Sequence, residues 1–469
     1  MTDICTDYLV VGSGAVGLAF ADTLLAETDA HITIVDRHGK PGGHWNDAYS
    51  FVTLHQPSAF YGVSSMPLGS GQKDSVGLNA GLYELASGPE ISGYFDAVMR
   101  QKLLPSGRVA YFPMTNYVGK GRFVSVLSGI ETRVAVRKKT VDATYYGTSV
   151  PSTHTPRYKV GSGVDLVAPN ALPYMALTKM APPKRYVIVG AGKTAMDVGV
   201  WLLGCGVPAE NVTWVVPRDS WLLNRRHTQP GAEFFAEGIG GLAAQMEAFA
   251  KATSVDDLFA RLEVGGIVLR IDPDVRPGMM HYATISVGEV AVLREIRDVV
   301  RKGRITAIER DGLYLETGHV PIAPGALYID CTASAVERRP PVPIFQDDRI
   351  VLQLVRAPQP AFSASLVAYV EARYGDDGVK NQLCATVPLP DTLEQFPRTA
   401  LANMMNEASW SKEATLRQWI NRNRLDGFGK IIAAVGEQDV EKQAILARMR
   451  EHLRPAASNL RKLAARYTG

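Results

Sequence analysis

The sequence predicts an α/β protein built on two parallel-sheet units, with a helical insertion in the second unit and a helical C-terminal extension. A pattern of strand, glycine turn and helix occurs near residue 12 and again near residue 190. Helical patterns cover residues 231–304 and the chain beyond residue 391. The chain of 469 residues also exceeds what one hydrophobic core usually serves, so several domains are expected.

Composition narrows the class of protein. The net charge of +3 is too small to indicate a nucleic-acid partner or a membrane surface. No apolar run reaches the roughly 20 residues of a membrane span, and the start of the chain does not resemble a signal peptide. The cysteines are far apart, which argues against a redox-active disulfide and against a metal site. A cytoplasmic protein with reduced thiols is therefore expected, and a homodimer is left open.

The first unit begins with a short apolar strand at residues 8–11. Gly12, Gly14 and Gly17 follow it in the spacing G-x-G-x-x-G, then a helical run, and then a second strand that ends in Asp36. Such a turn lets backbone N–H groups and a helix N-terminus approach a pyrophosphate, while the acid bonds ribose hydroxyls. The predicted dinucleotide-binding residues of this unit are Gly12, Ser13, Gly14, Ala15, Gly17, Asp36 and Arg37.

A loop rich in aromatic and small polar residues follows, from Asn46 to Gly69, after the motif Gly42-Gly43-His44-Trp45. It has no clear helical or strand period, and it reads either as the lining of a site or as a surface loop with buried aromatics. His55 is either a functional donor or a hydrogen-bonded loop histidine. The aromatic residues that could form apolar walls are Trp45, Phe51, Phe60 and Tyr61.

The second unit repeats the pattern at residues 184–206. Its turn has Gly190 and Gly192, with Ala195 in the third position, and the next strand ends in Arg218 in place of an acid. An arginine there can pair with a 2′-phosphate, which favours NADPH over NADH. The alternative is a solvated surface arginine. The predicted residues for this cofactor are Gly190, Gly192, Lys193, Thr194, Ala195, Arg218 and Arg225.

Four further sequence signals after residue 280 predict local elements of the fold. Ser286 and Glu289 form a capping box that opens a predicted helix continuing through Ile296 and Val300. Asp311-Gly312 predicts a hairpin. The strand at residues 326–330 is predicted to return the chain to the first unit. A later helix would then offer its N-terminus to a ligand through Gln359, Phe362 and Ser363.

These assignments divide the chain into four parts. The first part of an FAD-binding domain covers residues 1–165, and an NADPH-binding domain covers residues 166–325 with the helical insertion inside it. The return segment of the first domain covers residues 326–390, and the helical C-terminal extension covers residues 391–469. The predicted architecture is thus two Rossmann-like dinucleotide-binding domains.

The two glycine motifs and Gly42-Gly43-His44-Trp45 together resemble the two-dinucleotide-binding-domain flavoproteins, and among them the class B flavin-dependent monooxygenases, which include flavin-containing and Baeyer–Villiger monooxygenases. The resemblance covers roughly residues 5–375. It implies that the first motif binds FAD together with Gly43, His44 and Trp45, and that the second binds NADPH. It also implies insertion of one oxygen atom of O₂ into a small organic substrate through a C4a-(hydro)peroxyflavin.

The sequence departs from that family in two places. The fingerprint F-x-G-x-x-x-H between the glycine motifs is missing, and Thr53-Leu54-His55-Gln56 stands where flavin-containing monooxygenases carry an asparagine after a threonine. His55 and Gln56 are the predicted catalytic hydrogen-bond donors. Three functions stay open: a monooxygenase, an NADPH-dependent reductase or oxidase without oxygen insertion, and a non-enzymatic flavoprotein that senses redox state or binds a partner.

Overall fold

The structure, a computed structural model, describes residues 3–178, 182–334, 336–337 and 339–467. Both strands and helices occur up to residue 351, and the regular elements after that residue are helical. In chain order the strands are β1 (Asp3–Val11), β2 (Ile32–Val35), β3 (Val109–Phe112), β4 (Thr115–Gly119), β5 (Arg122–Ser125), β6 (Glu131–Asp142), β7 (Lys159–Val160), β8 (Asp165–Val167), β9 (Arg185–Val189), β10 (Val212–Val215), β11 (Ser220–Asn224), β12 (Val268–Leu269), β13 (Met279–Ile285), β14 (Asp298–Val300), β15 (Ile305–Glu309), β16 (Gly312–Leu315), β17 (Gly318–Pro321), β18 (Ala326–Asp330) and β19 (Arg349–Val351). The α-helices are α1 (Ala15–Glu27), α2 (Gly88–Val98), α3 (Leu172–Thr178), α4 (Lys193–Gly204), α5 (Phe235–Lys251), α6 (Val255–Val264), α7 (Val287–Leu293), α8 (Pro360–Arg373), α9 (Asp377–Leu383), α10 (Phe396–Trp410), α11 (Ala414–Arg422), α12 (Gly429–Ala433) and α13 (Val440–Ala465).

The first sheet has the strand order β3-β2-β1-β6-β5-β4, and β19 also pairs with β6. The strands β3, β2, β1, β6 and β19 run parallel, whereas β5 is antiparallel to both of its neighbours, β4 and β6. All four residues of β2 are buried, as expected for a parallel strand that is covered on both faces. Helices α1 and α8 pack side by side, and the Thr23 and Ser365 hydroxyls lie 2.7 Å apart between them.

The second sheet is fully parallel, in the order β14-β10-β9-β18-β8. The strand at residues 326–330, predicted to belong to the return segment, is β18 and pairs with β9 in this second sheet. The boundary at residue 326 was therefore too early, because the in-register pairing with β9 keeps the chain in the second unit as far as Asp330. The chain rejoins the first sheet only at β19.

The insertion at residues 231–304 is helical only in part. Helices α5, α6 and α7 are present, and the Ser286 capping box is confirmed by bonds of 3.1 and 2.8 Å with Glu289. The predicted continuation of α7 is wrong: the helix ends at Leu293, and Val300 lies in β14. Val300 fits the helical spacing, but the pairing of β14 with β10 places it in a strand instead. Strands β12 and β13 flank β11 in a small third sheet.

A helical cap, defined here as α5, α6, α10 and α13, joins the insertion to the C-terminal extension. The longest helix, α13, packs along α5, and their apolar faces share one core. The predicted hairpin at Asp311-Gly312 is confirmed as the β15–β16 pair. No helix in the described ranges is both long and apolar enough to cross a lipid bilayer.

Candidate cofactor sites and the cavity between them

The first glycine turn connects β1 to α1 with almost no spare volume. Gly12 has a φ of +103°, which a residue with a side chain rarely adopts. A Cβ atom on Gly17 would lie 2.0 Å from the Gly12 carbonyl oxygen, so only glycine lets the helix approach the strand so closely. Gly14 is the N-cap of α1 and carries no side-chain cap, which leaves the first N–H groups of the helix available to a ligand.

A second pair of glycines closes over this turn. The Gly42 N–H donates to the Ser13 carbonyl at 2.9 Å, and Gly42 and Gly43 have φ values of +122° and +58°. A Cβ atom on Gly43 would lie 2.9 Å from the Cα of Gly14. The two glycine segments thus form a cradle of bare backbone that a side chain at Gly43 would fill.

Asp36, at the end of β2, is 6% exposed and points at the same turn. Its Oδ2 accepts from the Ser13 N–H at 2.6 Å and from the Ser13 hydroxyl at 2.9 Å. Its Oδ1 accepts from the His38 N–H at 2.8 Å and lies 3.0 Å from the His38 ring. These contacts use the acceptor sites of the carboxylate, so a ribose hydroxyl would replace one of them. The Ser13 hydroxyl is the partner that can rotate away. The neighbouring Arg37 is exposed.

The predicted aromatic walls do not gather in one place. Trp45 Nε1–H donates to the Tyr61 hydroxyl at 2.8 Å, which joins these two rings. Phe51 instead stacks on Trp201 of α4, with ring centroids 4.9 Å apart. Phe60 packs edge-on against Phe428 of the C-terminal extension. The walls are therefore split among the first domain, the second domain and the extension.

Two histidines, one in the Gly-Gly-His-Trp motif and one in the loop after it, are held neutral by burial. Burial lowers the pKa of His44, within the Gly-Gly-His-Trp motif, to about 4. Burial also lowers the pKa of His55 well below its usual value, and the charges of Lys193 and Arg225 add to this effect. The Thr284 N–H donates to His55 Nδ1 at 3.2 Å, so the ring proton lies on Nε2. Neither His55 Nε2 nor the Gln56 amide has a hydrogen-bond partner within the described ranges.

The start of α8, which is predicted to offer backbone N–H groups to a ligand, places its three side chains in different environments. The Phe362 ring is buried in the core, and the Ser363 hydroxyl donates to the Gln359 carbonyl at 2.8 Å while accepting from the Val355 and Arg356 N–H groups. Both side chains are therefore used by the local structure and are not available to a ligand. Gln359 Oε1, in contrast, is buried without a hydrogen-bond partner in the part of the chain that the structure describes.

The second glycine turn connects β9 to α4 and is more open. Gly190 has a φ of +124°, and a Cβ atom there would lie 2.7 Å from the Cys331 carbonyl oxygen. An added Cβ on Gly192 would meet nothing within 4 Å. Ala195 is fully buried against the strand. Gly192 is the uncapped N-cap of α4, so the N–H groups of Lys193 and Thr194 face open space.

The predicted arginines of the second unit lie in opposite environments. Arg218 is exposed beyond the carboxyl end of β10. Arg225 is 1% exposed, and its guanidinium donates to the His55 and Thr284 carbonyls and to side chains of Asn79 and Glu289. The prediction that Arg225 contacts a 2′-phosphate is therefore not supported, because every one of these contacts lies within the protein. Sequence proximity to Arg218 could not reveal this burial.

A cavity of about 290 Å³ separates the two dinucleotide units. Lys193 and Asp197 both line it and form an ion pair, and the lining residue Glu289 pairs with the buried Arg225. Burial raises the pKa of Asp197, which also accepts from the Tyr49 hydroxyl at 2.6 Å. Lys193 and Arg225 are predicted cofactor residues, but Asp197 and Glu289 are not; for Asp197 the i, i+4 spacing from Lys193 was the available signal. The cavity is lined by Phe51, Thr53, Asn79, Trp201, Thr284 and Glu289, among others.

A further cavity of about 310 Å³ lies beside the second turn, at the end of β10. Ala191 of the turn lines it, together with Asp219, Arg297 and Arg301. Arg301 pairs with Asp219 at 3.0 Å. Three arginines and three aspartates thus line the place where a nucleotide on this turn would extend. Only the pairing of β14 with β10 brings Arg301 here, so the sequence could not predict it.

Comparison with known proteins agrees with this geometry. A family model described as an NAD(P)-binding Rossmann-like domain matches residues 10–68. The uncharacterized protein Rv2000 of Mycobacterium tuberculosis (strain ATCC 25618 / H37Rv) is 47% identical over 458 residues, covering 98% of this chain and 84% of that protein. The uncharacterized protein Mb2023 of Mycobacterium bovis matches with the same figures.

Among solved structures, the open form of cyclohexanone monooxygenase matches with a TM-score of 0.50 and 14% identity, covering 96% of this chain and 99% of that one. A flavin-containing monooxygenase from Stenotrophomonas maltophilia gives a TM-score of 0.45 at 15% identity, covering 79% and 98%. The predicted fold class is confirmed. The chain belongs to the family of these mycobacterial proteins, and it shares its fold with cyclohexanone monooxygenase.

Proposed function

We propose that this protein is an FAD-dependent, NADPH-consuming monooxygenase that inserts one oxygen atom of O₂ into a small organic substrate. The observation that carries the proposal is the pair of glycine turns, one at the carboxyl end of each parallel sheet, together with a cavity between the loop that follows the first turn and the helix that follows the second. Parallel α/β sheets bind their ligands at this end. The shared fold with cyclohexanone monooxygenase supports the same reading.

The first turn fits FAD. The bare-backbone cradle of Gly14 and Gly43 leaves room for a pyrophosphate and none for a side chain. The α1 N-terminus would add its free N–H groups and positive dipole end. Asp36 would bond the adenosine ribose, and the unpartnered oxygen of Gln359 would accept from an N–H donor of the flavin. FMN lacks a pyrophosphate, so FAD is the flavin that this cradle fits.

The second turn fits NADPH. The open space above Gly192 would accept the pyrophosphate, and the backbone N–H groups of Lys193 and Thr194 would donate to it. Arg218 would pair with the 2′-phosphate from its position beyond β10. The adjoining cavity beside Ala191, whose lining mixes arginines such as Arg297 with aspartates such as Asp272, would hold the adenosine end.

The cavity between the units is the proposed meeting place of cofactors and substrate. Bound FAD would supply a ring that accepts hydride from NADPH and passes electrons to O₂. The protein would contribute orientation and exclusion of water, the latter through the Phe51–Trp201 stack. His55 would contribute a neutral Nε2–H donor. Because each charged side chain that lines the cavity is already paired within the protein, the cavity favours a small uncharged substrate.

Oxygen insertion is the part of the proposal that most needs a test. An NADPH-dependent reductase or oxidase would use the same two cofactor sites, and the missing F-x-G-x-x-x-H fingerprint keeps this second candidate open. The route through a C4a-(hydro)peroxyflavin stays a prediction, as does a cytoplasmic location. A protein that senses redox state through bound flavin would lack rapid reduction by NADPH.

The test is a substrate screen with the purified protein, NADPH and ¹⁸O₂. A product heavier by one labelled oxygen atom, formed together with one NADP⁺, would support the monooxygenase. Stoichiometric H₂O₂ across the screen, with no labelled product, would favour the oxidase. Failure of NADPH to bleach the flavin bands would contradict both enzymatic candidates.

A further inference from the structure

The C-terminal extension contacts the predicted flavin-lining loop through one short segment. Residues 423–428 connect α11 to α12, and we name them the C-terminal staple. Among them, Arg424 Nη1 donates to the Ala59 carbonyl at 2.7 Å. Its Nη2 donates to the Tyr61 carbonyl at 2.7 Å, and its Nε donates to the Val63 carbonyl at 2.8 Å. A single side chain thus holds three alternate carbonyls of one irregular loop.

The staple also reaches α8. Asp426 pairs with Arg356 at 2.8 Å, and the Arg356 guanidinium carbon lies 3.6 Å from the centre of the Phe362 ring. Asn423 accepts from the Ser64 hydroxyl at 3.2 Å and donates to the Ser365 hydroxyl at 3.0 Å. The staple therefore ties the loop to the start of the helix that carries Gln359.

Close packing of the staple on the Phe60 ring adds to these hydrogen bonds. Gly427 has a φ of +86°, and a Cβ atom there would lie 2.7 Å from the Phe60 ring. Phe428 packs edge-on against the same ring, with centroids 5.6 Å apart. The chain is thus shaped to close over the loop at this point. Burial lowers the pKa of Arg424, and the Tyr94 hydroxyl and Asp22 carboxylate that face it oppose this shift.

We infer that the staple completes the flavin site, and that Arg424 is a positioning residue that fixes the Trp45–Tyr61 wall relative to the start of α8. The inference rests on the proposed FAD site, and it gives the C-terminal extension a role that the glycine motifs do not. The physical reason is the irregular backbone around Tyr61. This backbone has few internal hydrogen bonds, so its carbonyls depend on the guanidinium.

The experiment uses the full-length protein with Arg424→Ala, Arg424→Lys and Asp426→Asn. Backbone amide exchange of residues 59–64 is measured in the flavin-free protein, and the FAD dissociation constant is measured by fluorescence quenching. Arg424→Ala should speed exchange in this loop and weaken FAD binding about tenfold, with the α13–α5 contact unchanged. Arg424→Lys should recover part of the affinity, because an ammonium group can reach fewer of the three carbonyls.

Exposed Arg422, two residues earlier, provides the matched control, and Arg422→Ala should change neither quantity. If Arg424→Ala fails to fold, as judged by circular dichroism, Asp426→Asn provides the same test through Arg356. Unchanged FAD affinity in the folded variants would overturn the inference while leaving the proposed function standing. Wild-type protein that binds no FAD would instead overturn the proposed function, and this inference with it.

Discussion

At Gly14 in the first glycine turn, an added Cβ atom would meet the Gly43 Cα at 3.5 Å, whereas at Gly192 in the second turn it would meet nothing within 4 Å. The first turn is covered by another part of its own domain, and the second opens onto a cavity. A covered site suits a cofactor that stays bound through many turnovers. An open site suits a cofactor that must enter and leave in each one.

The third position of each motif shows the same contrast. A Cβ on Gly17 would lie 2.0 Å from the Gly12 carbonyl oxygen, whereas Ala195 carries its Cβ at the equivalent place and is fully buried without strain. The first helix therefore sits closer to its strand than the second. The strand ends differ as well, because Asp36 is buried and bonded to the turn while Arg218 is exposed.

The largest expected effect comes from placing a side chain in each turn. Gly14→Val should clash with the Gly43 backbone and with a pyrophosphate, and the purified protein should lose its FAD. Overpacking at a closed site costs about 1–3 kcal/mol or more. Gly192→Val should leave FAD content intact and raise the KM for NADPH. Flavin content is read from absorbance, and full occupancy in Gly14→Val would contradict the assignment of the first turn.

The next effect tests the exposed end of the second unit. Arg218→Ala should weaken NADPH binding about ten- to a hundredfold, since a charge-assisted contact is worth about 1.5–3 kcal/mol, and leave NADH nearly unchanged. Steady-state KM values with both cofactors measure this. Lys184→Ala, an exposed cation near the opposite end of the same sheet, is the control. Equal losses with NADPH and NADH would indicate a packing role for Arg218.

The free energy of unfolding should depend on pH through His44, beside the first glycine turn. His44 lies in the segment that closes the first turn, and burial lowers its pKa to about 4, below the usual 6.5. Between these values the unfolded chain binds more protons, so the free energy of unfolding falls as the pH falls, by about 1.4 kcal/mol per pH unit. Urea unfolding of wild type and His44→Asn at pH 7 and pH 5 should show a smaller decrease in the variant. His31→Asn, at an exposed site, is the control, and equal slopes in His44→Asn and wild type would argue against the buried neutral ring.

The smallest expected effect concerns the junction of the two units. His55→Ala removes one neutral donor, worth about 1 kcal/mol, and should raise the share of NADPH electrons lost as H₂O₂ about fivefold. Reduction of the flavin by NADPH should stay largely intact. Gln56→Ala tests the second predicted donor separately. Peroxide yield and stopped-flow reduction are the measurements, and an unchanged peroxide yield in both variants would remove these residues from the proposed site.

The patterns that predicted the fold correctly were those set by local backbone chemistry. Glycine spacing, the Ser286 capping box and the Asp311-Gly312 hairpin each depend on a few neighbouring residues, and each appears where expected. The failures occur where distant pairing decides. Val300 fits a helical period, but it lies in a strand because β14 pairs with β10. Strand β18 remains in the second sheet because it pairs with β9.

The residues of the candidate site also differ in whether local sequence or distant contacts determine them. By itself the sequence determined the two turns, the acid at one strand end and the arginine at the other, because these lie at fixed distances along one chain. The tertiary structure decided which side chains remain available. Arg225 is buried and bonded to residues that are distant in sequence, and the Ser363 hydroxyl is bonded to the loop before α8, so neither side chain is available to a ligand. Arg424 holds the Val63 carbonyl, although the two residues are 361 positions apart in the sequence. The physical reason is that burial and hydrogen-bond satisfaction depend on every neighbour in space, and the sequence specifies only the neighbours along the chain.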